Sequence, residues 1–194
     1  MYLIAGLGNP GPRFTGTRHN AGFLVVDELA ARWGGKFRRI GASEVLRVGH
    51  KGAMLIKPQT FMNLSGGAVQ AALSKERAPL DDLLVIHDDV DLPLGRLRFK
   101  QGGGAGGQKG VKDVIDRLGP DFLRLKIGVG RPPDGRGTDN WVLGRFAPEE
   151  RQVLADVIAE AADAVETLLT LDLETAMNRA NGIDLAADSK GILD

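Results

Sequence analysis

The sequence predicts an α/β domain on a mixed, twisted β-sheet flanked by helices, and three observations carry that prediction. Apolar runs of strand length, Tyr2–Ala5, Leu83–Ile86 and Leu123–Val129, are separated by stretches of helical period. Two segments, Glu44–Val48 and Ala53–Ile56, flank His50-Lys51-Gly52 in the manner of an antiparallel hairpin, so the sheet cannot be purely parallel. No internal repeat or linker divides the 194 residues, a length that suits one domain. The domain is expected to span 1–182, with a polar, fraying tail over 183–194.

Taken in order, Tyr2–Ala5 ends in glycine and reads as a buried strand; residues 6–18, rich in Gly, Pro, Thr and Arg, read as a loop. Phe23, Val26, Leu29 and Ala30 mark a helix from Asn20 to Trp33, stopped by Gly34-Gly35. After the hairpin, Lys57-Pro58-Gln59-Thr60 is expected to be a loop, and Leu64–Leu73 a helix with Asn63 or Ser65 near its cap. Leu83–Ile86 runs as a strand straight into His87-Asp88-Asp89. Arg96–Gln101 alternates basic and apolar residues, a half-buried strand with a basic outer face. A glycine-rich loop leads to a helix over Gln108–Leu118, then to strand Leu123–Val129. Pro148 with Glu149 and Glu150 opens the longest helix, to about Thr170, since proline suits the first helical position and acids suit the positive end of the helix dipole. Leu173–Ala180 is a last short helix.

Composition limits the function classes. Hydrophobic residues are 43% and charged residues 26% of the chain, the balance of a folded globular domain. No apolar run reaches the roughly 20 residues of a membrane span, and the N-terminus lacks the basic start of a signal peptide. With no cysteine, disulfides, thiol nucleophiles and Cys-ligated metals are excluded, and a reduced, cytoplasmic, single-domain protein is expected; its oligomeric state is taken as monomeric. Net charge is zero, but it is segregated: Leu94–Arg131 holds nine Lys/Arg against three acids, and Arg145–Asp194 four bases against eleven acids. Such separation suits a phosphate-bearing partner on one face; it also suits a basic sheet edge beside an acidic helix.

Several motifs fail on their context. Gly6-Leu7-Gly8-Asn9-Pro10-Gly11 has the spacing of a dinucleotide fingerprint, but Pro10 and Pro12 delay the helix whose amides would face the pyrophosphate. Ser65 lacks a nucleophile elbow. His87-Asp88-Asp89-Val90-Asp91 could attract a divalent cation, but no second ligand-bearing segment accompanies it, so no metal is expected. The glycine loop, with six glycines among residues 102–110, reads equally as a phosphate cradle or a mobile flap.

What survives is a pair of segments, Asn9-Pro10-Gly11 through Thr17-Arg18-His19-Asn20 and His87-Asp88-Asp89, which emerge where ligands sit in open α/β sheets, beyond the carboxyl ends of strands. A helix N-terminus favours a neutral imidazole at His19, and a carboxylate at Asp88 could fix its tautomer. Without a cysteine or a serine elbow, water is the simplest nucleophile. The chemistry implied is hydrolysis of an activated acyl or phosphoryl bond, with Asn9 and Asn63 as amide donors to an oxyanion. A histidine capping a helix beside a turn aspartate is the structural alternative.

Together these segments, with Thr60-Phe61-Met62-Asn63-Leu64-Ser65-Gly66, the glycine loop, Lys126-Ile127-Gly128-Val129-Gly130 and Val142-Leu143-Gly144, resemble the bacterial-type peptidyl-tRNA hydrolases in family order over about residues 2–180. The resemblance implies a cofactor-free enzyme that cleaves the ester between a peptide, or an N-blocked aminoacyl group, and tRNA, recycling tRNA lost from ribosomes. It implies His19 as general base with Asp88 orienting it. Asn9 and Asn63 would hold the peptide main chain and ester, with Phe14, Phe61 and Met62 lining the cleft. The partner would be peptidyl-tRNA, met at its acceptor end and 5′-phosphate, with Lys100 and Lys126 at that phosphate. Two positions depart from the family. Where relatives commonly have Asn after a Gly-Gly-His, this chain has Lys109 after Gln108, and an ammonium cannot accept a hydrogen bond; Lys109 is expected to contact phosphate or the acyl carbonyl instead. Phe14 replaces a common Tyr and its hydroxyl. Non-catalytic RNA-binding relatives of the same fold are the alternative, and they would not need a working histidine base.

Overall fold

The computed structural model describes residues 1–188. Seven strands form one sheet in the order β2-β3-β4-β1-β5-β7-β6. Its centre is parallel: β1 (Tyr2–Gly6) lies between β4 (Ala53–Pro58) and β5 (Leu83–Asp89), and β5 pairs with β7 (Leu123–Gly128). Antiparallel strands finish both edges, β2 (Arg38–Ile40) and β3 (Ser43–Val48) on one side and β6 (Leu97–Gln101) on the other. The central strands are buried on both faces, which is why they read as unbroken apolar runs.

Alternation along these strands builds two cores. Ile4, Leu55, Leu84, Ile86 and Leu125 face α1 (Ala21–Trp33), α5 (Arg151–Thr170) and α6 (Leu173–Asn181). Leu3, Ala5, Ile56, Leu83 and Val85 face α2 (Ser65–Glu76) and α3 (Lys109–Leu118). Gly34 ends α1 in the left-handed conformation that its sequence position calls for. The acids after Pro148 act at close range: Glu150 accepts from the Ala147 amide at 2.6 Å and caps the turn that leads into α5.

The start of α1 packs directly on the sheet. A Cβ at Gly22 would lie 2.3 Å from the Ile86 carbonyl oxygen and 2.5 Å from the Leu7 nitrogen, and one at Gly6 would lie 2.3 Å from the Gly22 oxygen. Glycine at both positions is a packing requirement, not a dinucleotide signature. It lets the residues just before α1 reach the end of β5.

Some boundaries differ from the sequence-based expectation. β5 continues through His87, Asp88 and Asp89, because Asp88 and Asp89 stay in register with Ile127 and Gly128. β4 takes in Lys57 and Pro58, opposite Glu44 and Ser43. Ser65 does not cap α2: its buried hydroxyl donates to the Met62 carbonyl at 2.7 Å, and the first-turn amide of Gly66 is taken instead by Asp113 of α3, at 2.7 Å. Two elements carry no usable period, the fully exposed edge strand β2 and the five-residue helix α4 (Thr138–Val142). Residues 183–188, expected as tail, are docked. The Leu185 amide donates to Gly95, Asp184 pairs with Arg96, Ile183 and Leu185 pack on the core, and Leu185–Asp188 forms α7. The remainder of the expected tail, residues 189–194, lies outside the described residues.

His87, between Val85 and Asp89 on the α3 side of β5, is fully buried. Its Nδ1 donates to the Asp88 carbonyl at 2.7 Å, and its Nε2 has no partner among the described residues. Burial pulls its pKa down to about 4. The folded value lies below the unfolded one, so between about pH 6.5 and pH 4 the unfolded chain binds the extra proton, and stability falls as pH falls through that window. Urea unfolding at about pH 7.5 and about pH 5 should show the wild type losing on the order of 2 kcal/mol more than His87→Leu. Equal losses would remove His87 from the acid response.

Candidate functional site

At the carboxyl ends of β1 and β5 lies a cavity of about 520 Å³. Its wall includes Asn9, Phe14, His19, Phe61, Met62, Asn63, Asp88 and Lys109, every residue that the sequence placed in catalysis or in holding the acyl group. Lys100 and Lys126 lie apart from it, on β6 and β7.

Because side chains alternate along β5, the consecutive carboxylates diverge. Asp88, 2% exposed, points to the α1 side, where its Oδ2 accepts from His19 Nδ1 at 2.9 Å. His19 sits in the short 3-10 turn Arg18–Asn20 that runs into α1. With Nδ1 carrying the hydrogen toward Asp88, Nε2 keeps its lone pair for the cavity. Asp89 points the other way and holds Lys126 Nζ at 2.5 Å. Burial pushes the Asp89 carboxyl up, but Lys126 and the Asp91 amide outweigh it and hold the group below its ordinary value. The two aspartates therefore face separate partners. Among the described residues, no group of three or more His, Cys, Asp or Glu side chains is arranged to hold a metal ion.

The turn bearing His19 is anchored from both sides. Asn20 clamps the Asn9 backbone, Oδ1 accepting from its amide at 2.9 Å and Nδ2 donating to its carbonyl at 3.0 Å. Asn9 in turn accepts the Met62 amide on its Oδ1 at 2.7 Å. That bond fixes which end of the Asn9 amide is oxygen, and leaves Nδ2 as a donor at the cavity wall. Arg18, almost fully buried, donates to Glu150 at 2.6 Å and to the Arg145 carbonyl, and its guanidinium lies 3.7 Å from the centroid of the Trp141 ring. Sequence reasoning named neither Asn20 nor Arg18 as a support; their partners are distant in the chain.

The largest omission is Gln108. It caps α3, its Oε1 accepting from the Val111 amide at 2.7 Å, while its Nε2 donates to Asp88 Oδ1 at 3.1 Å and lies 3.2 Å from Met62 Sδ. A capping side chain at the end of the glycine loop was the available signal; its reach to Asp88, 20 residues back, was not. The loop itself is tied down on one side, because the buried Arg124 guanidinium donates to the carbonyls of Gly103, Gly104 and Pro120.

The rim is aromatic on one side and charged on the other. Phe14 and Phe61 meet edge to face at 6.4 Å, with Phe61 61% exposed. Opposite them, Lys109 reaches Asp139 of α4 at 2.9 Å, so its resting partner is a carboxylate.

The basic stretch is less available than its charge count implies. Arg124 is buried as described, and Arg96, Lys109, Lys112, Arg117, Lys126 and Arg131 each pair with an acid. Four of those acids, Asp184, Asp139, Asp89 and Asp91, lie outside the stretch. Arg98 and Lys100 have no ion-pair partner among the described residues. On the antiparallel β6–β7 pair, Arg98 stands opposite Lys126 and Lys100 opposite Arg124. Burial first, and then the charges of Lys126, Arg124 and Arg98, lower the Lys100 ammonium below its ordinary value. Cations crowded in this way gain when an anion joins them.

Known proteins give this arrangement a context. A family model described as peptidyl-tRNA hydrolase matches residues 3–188. A peptidyl-tRNA hydrolase of Rubrobacter xylanophilus is 51% identical over 178 residues, covering 91% of this chain and 98% of the relative. One from a Synechococcus strain is 46% identical over 198 residues, covering 99% and 88%. The crystal structure of peptidyl-tRNA hydrolase from Acinetobacter baumannii superposes with a TM-score of 0.87 at 34% identity, covering 95% of this chain and 96% of that one. With the match running from the first strand through the docked helix α7, this chain belongs to the peptidyl-tRNA hydrolase family.

Proposed function

We propose that this chain hydrolyses the ester joining a peptide, or an N-blocked aminoacyl group, to the ribose of tRNA, with His19 as general base toward water. The observation that carries the reading is the 2.9 Å contact of His19 Nδ1 with the buried Asp88, in a cavity that also holds the Asn9 amide. His19 Nε2 takes a proton from water as its oxygen bonds to the acyl carbon. Negative charge on the former carbonyl oxygen meets the Asn9 Nδ2 donor, with Asn63 on the same wall. Collapse breaks the bond to the ribose oxygen, and the imidazolium returns the proton to that oxygen. Asp88 stabilises the transient imidazolium without taking its proton. An ester has a better leaving group than an amide, so a positioned base, worth about 10²–10⁴-fold, is a sufficient device.

The remaining residues divide between acyl group and nucleic acid. Phe14, Phe61 and Met62 offer apolar wall to the peptide. Lys109 exchanges Asp139 for the acyl carbonyl or a nearby phosphate. Lys100 and Lys126 receive the 5′-phosphate of the tRNA, with Lys100 the readier because among the described residues it has no carboxylate partner to leave. The chain acts as a monomer in the cytoplasm and uses no cofactor. A purely RNA-binding role would leave the His19–Asp88 pair and the Asn9 donor without a task.

The direct test is release of N-acetylated aminoacyl groups from tRNA, with unblocked aminoacyl-tRNA as control. The wild type should cleave the blocked ester, and His19→Ala should lose at least about 10²-fold in kcat while tRNA affinity stays within a few-fold. No cleavage by the wild type despite tRNA binding would move the assignment to an RNA-binding module. Affinity for tRNA should fall with salt, and Lys100→Ala should reduce the log–log slope by about one. An unchanged slope would take Lys100 out of phosphate contact.

A further inference from the structure

On the reading of His19 as base, we infer that Gln108 is a positioning residue for the hydrolytic step, holding the Asp88 carboxylate in the one orientation that presents Oδ2 to His19. A glutamine amide can be built either way round, but here the choice is made by the backbone: only an oxygen can accept the Val111 amide at 2.7 Å. Nε2 is therefore the end that faces Asp88, and one of its hydrogens goes to Oδ1 at 3.1 Å while the other faces Met62 Sδ at 3.2 Å. Gln108 is 8% exposed, and its side-chain oxygen and both amide hydrogens have partners.

Three consequences follow from that geometry. First, the two Asp88 oxygens have different donors, Gln108 on Oδ1 and His19 on Oδ2, so rotation about the carboxylate would break two hydrogen bonds in a site with little access to water. Second, the donor on Oδ1 is a neutral amide. It cannot titrate, so it keeps donating to Oδ1 at any working pH. Third, the same side chain caps α3 and contacts Met62, so the helix after the glycine loop, the apolar floor of the cavity and the catalytic carboxylate are set by one residue.

A structural cap and a positioning residue can be separated by substitution. Gln108→Glu retains an oxygen for the Val111 amide but replaces the donor toward Asp88 by a second negative charge. Gln108→Leu removes both functions at similar volume, and Gln108→His restores a donor toward Asp88. The readout is the kcat and KM of N-acetyl-aminoacyl-tRNA hydrolysis across about pH 5 to about pH 9, with thermal unfolding of each variant. Gln108→Glu should lower the unfolding midpoint, because a second carboxyl then faces the buried Asp88 in place of a donor; it should keep KM within about twofold, lower kcat, and move the acidic limb of kcat/KM to higher pH by at least about half a unit. Gln108→Leu should lose about tenfold or more in kcat, and Gln108→His should recover most of it.

A Glu variant with wild-type kcat and an unmoved acidic limb would overturn the inference. So would a Leu variant whose only change is a lower unfolding temperature. Failure of the base assignment is seen separately, as His19→Ala retaining wild-type turnover in the same assay.

Discussion

A carboxylate that is 2% exposed can stay charged only if the protein replaces the water it has lost. Asp88 receives one donor on each oxygen, His19 Nδ1 and Gln108 Nε2, and those donors come from opposite sides of the sheet. His19 stands at the entry to α1 and Gln108 at the entry to α3. The position of both helices over the strand ends is therefore tied to one side chain. The glycines follow from the same demand. Gly22 lets α1 sit against Ile86 and Leu7, and a Cβ at Gly110 would lie 2.5 Å from Met62 Sδ. The site is an outcome of close helix-to-strand approach, and the approach is possible only where side chains are missing.

Around that centre the molecule sorts its charges by face. Alternation on β5 sends Asp88 toward the imidazole and Asp89 toward Lys126, so one dipeptide faces both the cavity and the basic sheet edge. On the basic edge, most cations already hold acids at the surface. Such exposed pairs are worth little, about 0–1 kcal/mol; the Lys126–Asp89 pair is largely buried and falls outside that range. Lys100 has no carboxylate partner among the described residues and lies under repulsion from Lys126, Arg124 and Arg98, which is the basis for proposing it as a phosphate contact.

Much of the fold could be read from the chain, for identifiable reasons. The parallel strands announced themselves because burial on both faces demands unbroken apolar runs, and α5 because its apolar stripe and its Pro148–Glu150 start agree. β2 could not be read, since Arg38, Arg39 and Ile40 are all exposed and carry no alternation. The docking of residues 183–188 depends on Gly95 and Arg96, which are far away along the chain. The site shows the same division. His19, Asp88, Asn9 and Asn63 were legible from residue chemistry at strand ends and from family resemblance, and the structure brings them to one cavity. Gln108 was not, because a glutamine beside glycines looks like a loop residue until Asp88 is known to lie beneath it. The charge count misled for a related reason. It summed the charges of residues 94–131 along the chain, whereas Asp89, Asp91, Asp139 and Asp184 neutralise four of the cations across space.

On this account Asp88 acts by holding the proton on Nδ1 of His19. Asp88→Asn tests that role most directly, because the substitution keeps the size of the side chain and still offers an oxygen to Gln108, yet turns an amide donor toward His19 and so favours the wrong tautomer. The measurement is single-turnover release of an N-acetyl-aminoacyl group from tRNA at saturating enzyme, paired with tRNA affinity. The account predicts a fall in rate of at least about 10²-fold with affinity nearly unchanged. A variant that releases the acyl group at the wild-type rate would contradict it.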